Sequence, residues 1–246
     1  MTISYGSSIV TDSLVMLLDA ANPRSYPGSG TAWNDISGSA NTGTLQSTPT
    51  YNAINGGYFI FNGTSNYVST ATLISSPTNF SLGIWFQTSI AAGHKLIGFE
   101  NTQTTSPSTA YDRHLYIGTN GLLNFGIYNY NIYNTGYFLA TSSTAVNDGK
   151  WHYAVGAYNN TSGNMSLYID SVLVGTSKTN LPGVYTGYWR IASYTLSEGA
   201  PGPAGWPNGV DGYFNGNISV AQVYYLELTA NQVSQNFEAY RGRYGI

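Results

Sequence analysis

The sequence predicts an all-β fold: an antiparallel jelly-roll β-sandwich with one short C-terminal helix. Three observations lead there. Charged residues are 8% of the 246, while Tyr, Thr, Asn, Ser and Gly are abundant, a composition that favours strands and tight turns. Short segments alternate apolar and polar residues with period two. Helical spacing occurs only near the C-terminus.

The elements follow in order. Leu14 to Leu18 reads as a first strand, and Ala20 to Pro49, rich in Gly, Ser, Asn and Pro, as a long irregular connection. Gly57 to Phe61 and Tyr67 to Ser69 flank an Asn62-Gly63 turn signal. Ser81 to Gln87 places Leu82, Ile84 and Phe86 on one face, which marks a strand with one core side. Lys95 to Phe99, His114 to Gly118 and Leu122 to Tyr128 follow, the last after Asn120-Gly121. Trp151 to Tyr158 alternates again, with Trp151, Tyr153, Val155 and Ala157 expected inward. Met165, Leu167 and Ile169 continue to a turn at Asp170-Ser171 and a return over Val172 to Thr176.

Tyr188 to Ala192 is a further short strand, and Ser197 to Gly209 a Gly/Pro-rich loop. Phe214 to Tyr225 changes phase midway, which a β-bulge or an edge crossing would explain. The helix begins at Thr229, where Gln232 completes a capping-box pattern. Val233, Phe237 and Tyr240 share one face, and Gly242 and Gly245 close the helix. No fixed-period repeat or linker divides the chain, so residues 1–246 read as one domain.

Composition also excludes functions. With a net charge of −3 and no basic stripe, nucleic acid and anionic membrane are poor partners. Cysteine is absent, which removes disulfides, thiolate nucleophiles and cysteine metal sites. Met1 to Val10 lacks a signal-peptide pattern, and no apolar run could span a bilayer.

The stretch Asp148-Gly-Lys-Trp-His-Tyr-Ala-Val-Gly-Ala-Tyr158, followed by Met165-Ser-Leu-Tyr-Ile-Asp-Ser-Val-Leu-Val-Gly-Thr176, resembles the laminin-G-like branch of the concanavalin A-like lectin/glucanase superfamily. Phe59-Ile-Phe-Asn-Gly63, Asn66-Tyr-Val68 and Phe214-Asn-Gly-Asn-Ile218 extend the likeness along nearly the whole chain. One departure is Ser171, where the family's turn usually has Gly. Leu17 to Trp33, and Leu228 to the terminal Arg241-Gly-Arg-Tyr-Gly-Ile246, are similar to such domains in virion proteins of tailed bacteriophages. That resemblance implies a non-enzymatic virion structural protein, with capsid decoration as the first reading. Its partners would be other virion proteins in a homo-oligomer at the virion surface. The alternative is a lectin module for host-surface glycans, in a tail fibre or receptor-binding protein.

Candidate sites divide similarly. The family's glucanases carry Glu-x-Asp-x-x-Glu, and none of Glu100, Glu198, Glu227 or Glu238 lies in such a cluster; a retaining glycosidase needs two carboxylates about 5–5.5 Å apart. Asp112-Arg113-His114 is a tight polar trio, read as strand-edge polarity. Many family members bind calcium, but the matching position is the neutral amide Asn62, with Asp211 and Asp19 able to help. No cofactor is therefore expected, with calcium at Asn62 and Asp211 as a weak candidate. Tyr128, Tyr130, Tyr133 and Tyr137, in an unusual Tyr/Asn loop, and Trp206, in a Gly/Pro loop, could contact glycans or subunits. Some of these rings could instead fold back on the core. Trp33, Trp85 and Trp151 read as core or sheet-face packing.

Overall fold

The computed structural model describes residues 8–104, 107–129, 136–179, 182–196 and 206–246. The strands in chain order begin with β1 (Leu14–Asp19), β2 (Ala32–Trp33), β3 (Gly43–Gln46), β4 (Thr50–Asn52), β5 (Tyr58–Asn62) and β6 (Tyr67–Thr70). They continue through β7 (Ile74–Ser75), β8 (Phe80–Gln87), β9 (Lys95–Glu100), β10 (Tyr111–Ile117), β11 (Leu122–Asn129) and β12 (Gly136–Ala145). The last are β13 (Trp151–Tyr158), β14 (Asn164–Ile169), β15 (Val172–Lys178), β16 (Thr186–Ile191) and β17 (Asn215–Tyr224), before the helix α1 (Ala230–Tyr240).

They form two antiparallel sheets. The first runs β15-β14-β13-β8-β17-β5-β4, with β1 also on β17; the second runs β12-β11-β10-β9-β16-β6-β3-β2, with β7 on β16. β17 organises the first sheet. Its start, Asn215 to Ile218, pairs with β5, and its end, Val220 to Tyr224, pairs with β1. The expected bulge lies between Ile218 and Val220. It lets Ile218, Ala221 and Val223 face the core while Val220 and Tyr224 turn to the outer side.

The core between the sheets holds Leu82, Ile84 and Phe86 with Phe99, Phe125 and Trp189. Burial of this apolar area is the main favourable term of folding. A second cluster covers the outer face of the first sheet. There Val233, Phe237 and Tyr240 of α1 meet Trp85, Tyr153, Val155 and Tyr168. Thr229 caps α1, and the capping box with Gln232 is complete.

This second cluster corrects the expected phase of β13. Tyr153 and Val155 face the helix, not the space between the sheets, where Ala154 and Tyr158 lie. Gly156 is on the inner side because a Cβ there would overlap the Phe125 ring of the facing sheet. Both faces of the strand are apolar, so alternation alone does not tell which is inner. Trp151 likewise packs outside, its ring 5.4 Å from Tyr58 and 4.6 Å from Tyr244.

The segment 20–49 is not wholly irregular, since β2 and β3 lie within it and Trp33 is fully buried. The C-terminal tail is docked. Arg243 makes a two-bond pair with the buried carboxylate of Asp19, at 2.8 and 2.9 Å, and Tyr244 stacks 4.3 Å from Trp85. No helix among the described residues is long and apolar enough to cross a membrane.

Candidate functional site

The expected aromatic contacts are placed differently from an exposed loop. Trp206 is 2% exposed and Tyr128 5%, and with Tyr116 and Leu196 they form a small buried cluster on the outer face of the second sheet. Tyr137 is half-buried beside them, 5.1 Å from Tyr128 and 5.0 Å from Trp206. The physical reason is apolar area: a Trp beside three Tyr rings gains more from packing than from water. Tyr130 and Tyr133 lie outside the described residues, as does most of the expected loop Ser197 to Gly209.

Asp112-Arg113-His114 is also corrected. All three are fully buried, so they are not strand-edge polarity. Arg113 pairs with Asp112 and donates to the carbonyls of Pro77 and Gly183 at 2.9 and 2.7 Å. Tyr185 donates to Asp112 at 2.7 Å. His114 joins no relay: its ring nitrogens have no hydrogen-bond partner among the described residues. It packs 5.0 Å from Trp206, and burial lowers its pKa well below the usual imidazole range.

Beside it lies a buried ionic cluster. Glu100 pairs with Lys95 and accepts from Arg190 at 2.8 Å, and all three side chains are fully buried. Ser108 and Ser193 also donate to Glu100. Burial opposes the carboxylate, but Lys95 and Arg190 outweigh it and hold its pKa at about 2. Glu100 is thus a structural anion. Glu227 accepts from Asn159 at 2.9 Å, and Glu238 pairs with Arg241 at 2.7 Å, so each has its own partner.

The calcium candidates do not fit the ion. The Asn62 side-chain oxygen accepts the backbone N–H groups of Thr64, Ser65 and Asn66 at 2.9–3.2 Å, which engages its lone pairs. Asp211 accepts from the Leu196 backbone at 2.7 Å, in the loop over the other sheet. Among the described residues no group of three or more His, Cys, Asp or Glu could hold a metal.

An open polar groove lies at one end of the first sheet. There the end of β8, the start of β17 and the turn before β13 enclose a groove of about 310 Å³. Gln87 and Asn217 are register partners across β8 and β17, so the sheet sets their amides side by side. Asn217 donates to the Gln87 side-chain oxygen at 2.8 Å, and Gln87 donates to the Gly149 carbonyl at 2.7 Å. Thr88 donates to the Asn215 carbonyl at 2.7 Å and accepts from the Ile90 backbone at 3.0 Å. Gly216 is required between the two asparagines: its φ is 153°, and a Cβ would overlap the Gln87 carbonyl.

Several polar atoms here keep open valences. The Asn217 side-chain oxygen, the Asn215 amide and the Ser89 hydroxyl have no intramolecular partner among the described residues. Ile90, 46% exposed, adds an apolar wall. No charged side chain lines the groove. Sequence reading passed over these residues because isolated Asn, Gln, Thr and Ser carry no motif; only strand register brings them together. The usable signal was Gln87 on the outer phase of an otherwise apolar strand.

The solved structures similar to this chain share the sandwich. Domain 4 of AbnA, an extracellular arabinanase from Geobacillus stearothermophilus, in complex with arabinotriose, is 17% identical with a TM-score of 0.57, covering 91% of this chain and 98% of that one. The botulinum neurotoxin serotype C1 binding domain is 16% identical with a TM-score of 0.65, covering 94% of this chain and 53% of that one. The serotype D ligand-binding domain in complex with N-acetylneuraminic acid is 16% identical with a TM-score of 0.63, covering 93% and 51%. This chain thus spans about half the length of the neurotoxin chains it matches. At such identities the likeness is one of fold. No curated protein matches the sequence. A family profile does, over residues 62–234, most of the described sandwich, and the chain belongs to the concanavalin A-like lectin/glucanases superfamily.

Proposed function

We propose that this protein is a non-enzymatic carbohydrate-binding module, and that neutral sugars bind in the groove at the β8–β17 end of the first sheet. One observation carries the reading: a sheet-aligned row of uncharged amides and hydroxyls with open valences, in a concave surface of about 310 Å³. Amide oxygens accept from sugar hydroxyls and amide N–H groups donate to them, while Ile90 can meet a sugar's C–H face. The absence of a lining charge suits a neutral ligand. The volume lies at the lower end of ordinary small-ligand sites, as a short oligosaccharide segment needs. The similar arabinanase domain is in complex with neutral arabinotriose and the similar neurotoxin domain with N-acetylneuraminic acid, an anionic sugar, which together support a carbohydrate ligand.

Assembly on a virion, the reading suggested by the chain ends, has less support. Asp19 and Arg243, one from each end segment, bind each other, so folding accounts for part of both stretches. The test is titration with arabinotriose and a panel of neutral and sialylated oligosaccharides, followed by calorimetry and NMR. Neutral ligands should shift the Gln87 and Asn217 side-chain amides. Asn217→Ala should weaken binding about tenfold, the equivalent of roughly 1.4 kcal/mol, with little change in Tm. Failure of every sugar, or binding that ignores Asn217, overturns the reading.

A further inference from the structure

One wall of the groove is the turn 148–150, and a histidine ties that turn down. His152, on β13, has a side chain 14% exposed. Its Nδ1 lies 2.8 Å from the Asp170 carboxylate in the β14–β15 turn, and its Nε2 lies 3.1 Å from the Asp148 carboxylate. The facing groups can be named element by element. The turn before β13 contributes Asp148 and Lys150, and Lys150 pairs with Asp148 at 3.3 Å. The hairpin turn contributes Asp170, and β8 contributes only the Phe86 ring, 6.0 Å away.

The two carboxylates are held unequally. Asp170 also accepts the Tyr153 backbone N–H of β13 at 2.8 Å, which fixes it to the sheet. Asp148 accepts the Lys150 backbone N–H at 2.9 Å, a bond inside its own turn, and the turn's backbone link to the sheet is the Gly149 N–H donating to the Thr88 carbonyl at 3.0 Å. A neutral imidazole carries one N–H and donates to one carboxylate; the imidazolium donates to both. Gly149, between Asp148 and Lys150, supplies the carbonyl that holds Gln87 at 2.7 Å, and Gln87 in turn accepts from Asn217. Burial works against the charged ring, but the hydrogen bonds and charges of Asp170 and Asp148 outweigh it and raise its pKa above the usual imidazole value.

We infer that His152 is a proton-controlled clasp on the groove: its cation ties the 148–150 turn to the hairpin turn and sets the Gln87–Asn217 amide row, and loss of its proton loosens that turn, which then keeps only the Gly149–Thr88 backbone bond to the sheet. The clasp is a property of the fold; its consequence for ligands rests on the carbohydrate reading. Affinity for a neutral sugar should then fall as the pH rises through the titration of His152.

The experiment separates the two. NMR spectra of the sugar-free protein are followed from about pH 5.5 to 8.5, a window that spans imidazole titration. The Gly149 backbone and Gln87 side-chain resonances should move with the same midpoint as the His152 ring. In His152→Gln that movement should vanish. Asp148→Asn, at a partly exposed position whose amide can still cap Lys150, should suppress it too and serves if the histidine variant fails to fold. The clasp is overturned if Gly149 and Gln87 stay fixed while His152 titrates. Arabinotriose binding at the two pH limits completes the test, with an affinity at least about threefold tighter at the acid limit expected, a difference of roughly 0.6 kcal/mol. Coupled resonances without sugar binding at either limit uphold the clasp and remove the carbohydrate reading. Equal affinity at both limits upholds that reading and overturns the clasp as its control.

Discussion

The two sheets bury much of their outer faces by opposite chemistry. Over the first, α1 and the tail lay rings on rings: Trp85 stacks with Tyr153, Phe237 and Tyr244 at 5.2, 5.6 and 4.3 Å. Over the second, rings also gather around Trp206, but beside them Ser193 and Ser108 reach down to a fully buried Glu100 held between Lys95 and Arg190. Ring stacking is indifferent to pH and tolerates small shifts. A buried ionic cluster depends on every partner, since each charge left alone pays the cost of desolvation. The polar groove lies on the first sheet at the ends of β8 and β17, where the row of rings gives way to amides. Difference of cover thus predicts where the molecule is brittle, where it is plastic and where it is open.

The largest effect should come from the ionic cover. Glu100→Ala leaves Lys95 and Arg190 buried without their anion and should cost about 3–5 kcal/mol, read as a fall in the urea midpoint. The same cluster gives a pH signature. Glu100 has a folded pKa of about 2 against an ordinary value of 4.5. Its contribution is therefore complete above about 4.5 and is lost as the pH falls through about 2. Glu100→Gln should flatten the acid limb of the stability profile. An unchanged limb would mean that the cluster is not what distinguishes the second sheet.

The stacked cover should yield less to one change. Arg243→Ala removes two charge-assisted bonds to Asp19 and should cost about 2 kcal/mol. Tryptophan fluorescence should shift as Tyr244 leaves Trp85 and Trp151, and limited proteolysis should trim the tail before the core opens. A tail that stays protected would show that the rings alone dock it, which sharpens the contrast with the ionic side.

Much of this fold was legible in the sequence, because period two, turn dipeptides and a capping box are local signals. Ser81 to Gln87, the bulge of β17 and the helix from Thr229 are found where the pattern put them. The misses have physical causes. The outer half of β12 reads Thr141-Ser-Ser-Thr144, polar on both phases, because an edge strand with an exposed side needs little apolar alternation. Tyr153 and Val155 were assigned to the wrong face because α1 makes the outer side as apolar as the inner. Trp206 sits in a Gly/Pro-rich stretch of sequence, and nothing local marks that its ring packs on the outer face of a sheet. The groove was the least legible, since its amides come from segments some 130 residues apart and meet only through register.

The smallest effect concerns whether the first sheet is limited by its cover or by its own hairpins. The β14–β15 turn holds Asp170 at φ 50° and Ser171 at φ 70°, both left-handed. That conformation costs a non-glycine residue about 1–2 kcal/mol, and glycine's extra freedom in the unfolded chain returns about 0.5–1 kcal/mol of that. Ser171→Gly should therefore raise stability by up to about 1 kcal/mol, a rise in Tm measurable by calorimetry. Asp170→Gly relieves the same strain yet should lower Tm, because its carboxylate holds the Tyr153 backbone and the His152 ring. If both substitutions stabilise, the carboxylate bonds are weaker than the strain, and the first sheet draws its stability from the stacked rings alone. If only Ser171→Gly does, the hairpin turn is itself a fastening point, and the first sheet, like the second, relies on a carboxylate that one substitution can undo, here a half-buried one.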